Sequence, residues 1–168
     1  MAAAVHCKVL TVADVQVDDL VSLLGLYKLE LDIQGAGEPI TGSFWGNPEA
    51  GIVCDTVYVR DDTPIHSLLH ETCHVICMTG DRRRQLVCDA GGDDLEEAGV
   101  CYLQVVLAEH IAAIGRERLM QDMDSWGYSF RLGNAREWFE QDAEDARQFL
   151  INHGLLTEEG EPTYALRS

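Results

Sequence analysis

The chain has 168 residues, 46% hydrophobic and 24% charged, the size and balance of one globular domain able to bury a sizeable core. Its 12 basic and 29 acidic residues leave a formal charge of −17, which removes the electrostatic basis for holding a phosphate backbone or an anionic membrane surface. Nucleic acid and membrane are therefore excluded as expected partners, and a basic or neutral ligand is favoured over an acidic one.

The first residues, 1 to 7, lack a charged n-region and are followed by acids, not an apolar run. No export is expected, so the expected location is cytoplasmic and the six cysteines are expected to stay reduced. Residues 5 to 12 alternate loosely as a strand, and 16 to 24 carry a short helical period. Residues 26 to 33 alternate apolar and polar strictly, the mark of a half-buried strand. A turn-rich loop with Pro39, Gly42, Gly46 and Pro48 follows, with Phe44 and Trp45 among them, before a strand over 52 to 60, and Trp45, Trp126 and Trp138 read as core or loop-anchoring aromatics.

At Thr63-Pro64 the period changes, since threonine is a good N-cap and proline fits the first helical position. A helix is predicted over 64 to 79, closed by Gly80, and the polar stretch 81 to 92 with Arg82, Arg83 and Arg84 reads as a solvated loop. A long helix is predicted from Asp93 to about Met120, acidic at its start and basic near Arg116 and Arg118. Its apolar run from Val100 to Ala108 contains Gln104 and is far too short to span a bilayer. Residues 121 to 133 read as a loop and 135 to 152 as an amphipathic helix closed by Gly154. The fold class expected is α+β: a small N-terminal sheet packed on the helix 64 to 79, then a long helix and a C-terminal helix, as a single domain over 1–168.

The helix over 64 to 79 contains His70-Glu71-Thr72-Cys73-His74, the pattern H-E-x-x-H. Histidines four apart lie one turn apart on one face, so both imidazoles reach one zinc ion, with Glu71 turned towards its water as general base. The chance expectation of this pattern in a chain of this composition is about 0.02. With His70 at 0°, the residues Ile65, Leu68, Leu69, Val75 and Ile76 fall on the opposite side, so the histidine face is not expected to be the core face. Cys73 and Cys77 extend the histidine stripe, but its length of about 10 Å cannot converge on one ion, and they read as buried thiols.

A catalytic zinc needs a third protein ligand. Glu96, on the same side as Val100, Leu103 and Leu107, is the first choice, because a carboxylate on a buried face needs a partner. Glu97, nearer Gln104, is the alternate. His66, one turn before His70, is an alternate oxyanion or substrate contact, as are Tyr102 and Tyr128.

On His70, Glu71 and His74, with Glu96 and Gly99 downstream, the chain resembles the gluzincin zinc metallopeptidases over about residues 52 to 110, and among them the minimal single-domain members. The resemblance implies a zincin-like fold and a hydrolase that cuts peptide or protein substrates. It also implies a strand over 52 to 60 that pairs with an extended substrate. Family members often carry an acid or amide four residues after the ligand glutamate to orient a histidine, and here that position is Val100. The alternative reading is a zinc-containing regulatory or binding domain without turnover. The tail, 155 to 168, is expected either to fray or to lie in the cleft as an inhibitory strand.

Overall fold

The computed structural model describes residues 8–43, 48–88 and 90–168, and the parts of the strand 5 to 12 before Lys8, with Phe44, Trp45 and Gly46, lie outside them. Among the described residues the fold is mixed α+β, with seven α-helices and one three-stranded sheet. The strand expected up to residue 12 is reduced to one bridge between Thr11 and Pro64, followed by a 3-10 turn at Val12–Asp14. Helix α1 (Val17–Leu26) buries Leu20, Leu23 and Leu24. It runs through Leu26, and Lys28 turns the chain at φ 58°, so β1 (Glu30–Ile33) is only the second half of the strand read from alternation.

The strand expected over 52 to 60 is a hairpin, β2 (Gly51–Val53) and β3 (Thr56–Val59), reversed at Cys54-Asp55 with Cys54 at φ 53°. The order is β1-β3-β2, with β3 parallel to β1 and antiparallel to β2. Because β3 is central, both its edges are occupied. The outer edge of β2 is met by the preceding loop, where Ile52 donates its N–H to the Gly42 carbonyl at 3.4 Å.

Helix α2 (Ile65–Cys77) begins one residue later than expected, since the Thr63 hydroxyl accepts the Arg60 N–H at 2.9 Å and caps the preceding turn instead. Ile65, Leu68, Leu69, Val75 and Ile76 are fully buried, as the wheel predicts. The histidine face is covered as well, with His66 and His74 buried, because α4 (Asp94–Ala108) lies across it. Gly80 opens a short helix, α3 (Gly80–Arg84), where a loop was expected, and Arg83 is not solvated: it holds the carbonyls of Val75, Met78 and Arg167.

The long helix expected to reach Met120 stops at Ala108, and α5 (Gly115–Trp126) starts afresh at Gly115, which has φ 71°. The break falls where an all-round apolar pattern becomes amphipathic: α4 is enclosed, while α5 carries Arg116, Glu117 and Arg118 outward. The predicted C-terminal helix is two, α6 (Ala135–Gln141) and α7 (Glu144–Asn152), parted at Asp142, which leaves helical geometry and pairs with Arg131.

Helix α4 is the central element, packed between α2 and α7. Gly99 permits that closeness, since a Cβ there would lie 2.7 Å from Phe149 Cδ1 of α7. Gly99→Ala is therefore expected to cost about 1 to 3 kcal/mol of stability despite alanine's better helix propensity. A denaturant midpoint equal to or above that of the parent would contradict this packing.

The tail neither frays nor enters a cleft. Leu155 and Leu156 are buried, Leu156 bridges Pro162, and the Tyr164 ring meets Tyr27 edge-on at 5.6 Å. Arg167 then donates its N–H to the Ile76 carbonyl at 3.0 Å, which ties residues 155–168 to the C-terminal end of α2.

Candidate metal centre

Helical spacing puts the His70 and His74 rings one turn apart on α2, with their Nε2 atoms 3.1 Å from each other. Helix α4 brings the Glu97 carboxylate onto the same point: one oxygen lies 3.0 Å from His70 Nε2 and the other 3.0 Å from His74 Nε2. Among the described residues these three form a group whose ligand atoms all lie within 4.8 Å of one another.

The first choice for the third ligand, Glu96, is corrected by this geometry. Glu96 is buried, as its apolar neighbours imply, but its partners are guanidinium groups. Arg82 grips both oxygens at 2.7 and 2.8 Å, and Arg167 adds a contact at 3.1 Å. One residue further is about 100° round the helix, and that turn aims Glu97 at the histidines.

With Glu97 as the third member of the group, the position four residues on is Cys101 and not Val100, and the amide that orients His70 is Gln104. Its amide nitrogen donates to the His66 carbonyl at 2.7 Å, and a carbonyl can only accept, so the Gln104 oxygen must face His70 Nδ1, which it does at 3.0 Å. His70 therefore carries a proton on Nδ1, which leaves Nε2 for the shared point: protonated where it meets the Glu97 carboxylate, and a lone-pair donor to a cation once that proton leaves. Glu97, Cys101 and Gln104 are spaced i, i+4, i+7 on α4, and the one amide in the apolar run from Val100 to Ala108 was the visible signal for this residue. Gln104→Met is expected to lower zinc affinity about 10 to 100-fold with little change in fold, the usual scale for a group that orients a ligand. Unaltered affinity in a chelator competition would remove Gln104 from this role.

Two imidazole nitrogens and a carboxylate converging at 3.0 to 3.1 Å form a donor set for a cation. Zinc bonded at about 2.0 to 2.1 Å in a tetrahedron sets its ligand atoms about 3.3 Å apart, close to these separations, and the N2O set suits it. Burial would lower the His70 pKa, yet Cys101 and Glu97 raise it well above its ordinary value. Desolvation would raise Glu97, yet hydrogen bonds from His70 and His74 hold it well below the usual carboxylate range. Both shifts express one interaction, a carboxylate accepting from two imidazoles, and a bound cation would take the place of the protons on Nε2. His74 Nδ1 is buried without a hydrogen-bond partner.

Glu71 lines a cavity of about 380 Å³ together with His74, Glu97, Glu49 and the backbone turns at Gly42 and Gly91. Burial raises its carboxyl pKa, and His74 and His70 act against that rise. A second cavity of about 580 Å³ adjoins Glu97 on its other side, walled by Phe130, Trp138, Asp94 and Asp145.

The other candidates sit elsewhere. His66 is 1% exposed, so it is no substrate contact; its Nδ1 meets the Tyr128 hydroxyl at 3.1 Å, and its ring packs on Trp126. Burial pushes the His66 pKa down to about 3, so the ring is neutral. Tyr128 joins the cluster from behind, its ring 5.7 Å from that of His70, while Tyr102 stacks on Phe139 away from it. No residue of the tail lines either cavity.

No family model matches the chain, and no curated protein and no solved structure matches it. Among the described residues no helix is long and apolar enough to cross a membrane.

Proposed function

We propose that this chain is a zinc metallopeptidase of the gluzincin, zincin-like kind, with His70, His74 and Glu97 as metal ligands and Glu71 as general base. The observation that carries the reading is the convergence of both histidines of an H-E-x-x-H helix with a glutamate from a following helix, with Glu71 in the adjoining cavity. Zinc held there would lower the pKa of a water and polarise a peptide carbonyl. Glu71 takes the proton of the attacking water on its carboxylate and returns it to the leaving amine. Gln104 keeps His70 in the tautomer the metal needs. The substrate is a peptide or protein, and the acidic surface favours one that is basic or neutral.

A zinc-containing binding domain without turnover is the second reading. It draws support from the outer edge of β2, where the Gly42 carbonyl already holds the Ile52 N–H and closes that position to an added substrate strand. Elemental analysis followed by a peptide-library digest, with and without chelator, separates the two. About one zinc per chain with chelator-sensitive cleavage is expected. Zinc without cleavage selects the binding domain, and absence of zinc after zinc loading removes both readings.

A further inference from the structure

Glu96 carries no ligand role, yet it is among the most elaborately held side chains in the molecule. Its carboxylate is 5% exposed and takes three hydrogen bonds from two arginines that lie 14 and 71 residues away in the chain. Arg82 also donates to the Ala90 carbonyl at 2.5 Å and so fixes the turn that walls the Glu71 cavity. Arg167 donates to the Cys77 carbonyl at 3.2 Å, and its guanidinium lies 5.4 Å over the Phe149 ring of α7. A Cβ on Gly92 would stand 2.1 Å from a Glu96 oxygen, so the chain is closed tightly on this carboxylate.

The first turn of a helix is its least constrained part, since its N–H groups have no intrahelical partners, and a local swing of a few tens of degrees there would carry the Glu97 carboxylate off the histidine nitrogens. The Asp93 cap fixes where α4 starts, accepting the Glu96 N–H at 2.8 Å, but not which way its first turn faces. The paired arginines do that, since Arg82 is anchored on α3 and the Ala90 carbonyl and Arg167 on the end of α2, and together they hold the carboxylate next to the one that meets the histidines.

We infer that Arg82 and Arg167 are positioning residues for the metal centre: through Glu96 they set the rotation of the first turn of α4 and so aim Glu97 at His70 and His74. Residues 155–168 are then a strap that completes the site from behind. This rests on the reading of His70, His74 and Glu97 as metal ligands.

The test measures zinc affinity by chelator competition, the absorption spectrum of the cobalt-loaded chain, and hydrogen exchange at the Glu97 amide in the metal-free chain. Arg167→Met is expected to weaken zinc about 10 to 100-fold, to alter the cobalt spectrum, and to speed exchange at Glu97 more than at the centre of α4. Arg167→Lys, which keeps the charge and folds more readily, should recover most of the affinity. Glu96→Gln should lose a similar factor, and Glu96→Gln with Arg167→Met no more than either alone, because both act through one contact. Unchanged affinity and unchanged exchange in folded Arg167 variants, or losses that simply add, would overturn the inference. A parent chain that takes no zinc would overturn the ligand reading instead, and the exchange measurement would still decide whether Arg167 holds α4.

Discussion

Replacing Glu71 with glutamine is expected to leave metal content unchanged and to abolish measurable peptide hydrolysis. The substitution preserves shape, and Glu71 is not among the three groups that meet at the metal point, so affinity should stay within a few-fold of the parent. An amide cannot accept the proton of the attacking water. General-base removal alone costs about 10² to 10⁴ in rate, and loss of the group that also orients the water carries the total to the upper end of that range or beyond. Burial raises the Glu71 carboxyl, and the two histidines temper the rise. Metal content by elemental analysis and kcat/KM on a cleaved peptide check it together. Equal turnover in Glu71→Gln and parent would exclude the mechanism, and loss of zinc in Glu71→Gln would make Glu71 a ligand.

Glu97→Ala and Glu96→Ala should separate cleanly by zinc affinity and stability. Glu97 touches both ligand nitrogens at 3.0 Å, so its removal leaves two protein ligands and should weaken zinc by more than about 100-fold, beyond the scale of any orienting group. Its carboxylate accepts from both imidazoles, so the metal-free chain should also lose some stability, but less than with Glu96→Ala because the Glu97 side chain is 49% exposed. Glu96→Ala strands Arg82 and Arg167 without their carboxylate and is expected to cost about 3 kcal/mol, the low end for a broken buried pair because Arg82 keeps some solvent contact. Its zinc loss should stay within about 10 to 100-fold. The reverse ranking in affinity would restore Glu96 as the ligand.

Local spacing was legible where one element carries the whole pattern. His70, Glu71 and His74 stand on one helix, the helical period fixes their angles, and the apolar positions Leu68, Leu69, Val75 and Ile76 fix which side is core. The α+β class follows from the same kind of reading, a short alternating N-terminal part and a helical remainder. The hairpin at Cys54-Asp55 was not legible, because neither residue is the asparagine or glycine that announces a two-residue turn. Nor was the break between α4 and α5, where no proline marks the end and the change is one of enclosure.

By itself the sequence determined a histidine pair at i, i+4 with a glutamate beside it on a helix with a buried apolar face, since those relations span at most a few turns of one element. Only the tertiary structure decided which of two adjacent glutamates completes the group. Glu96 and Glu97 are equivalent to any local rule, and the choice falls to Arg82 and Arg167, brought from 14 and 71 residues away to take the buried carboxylate. The same holds for residues 155–168, whose polar, proline-containing stretch reads as a loose end. Its course was set by the open carbonyls at the end of α2, which Arg167 and Arg83 satisfy, because buried backbone acceptors must find donors wherever the chain can supply them.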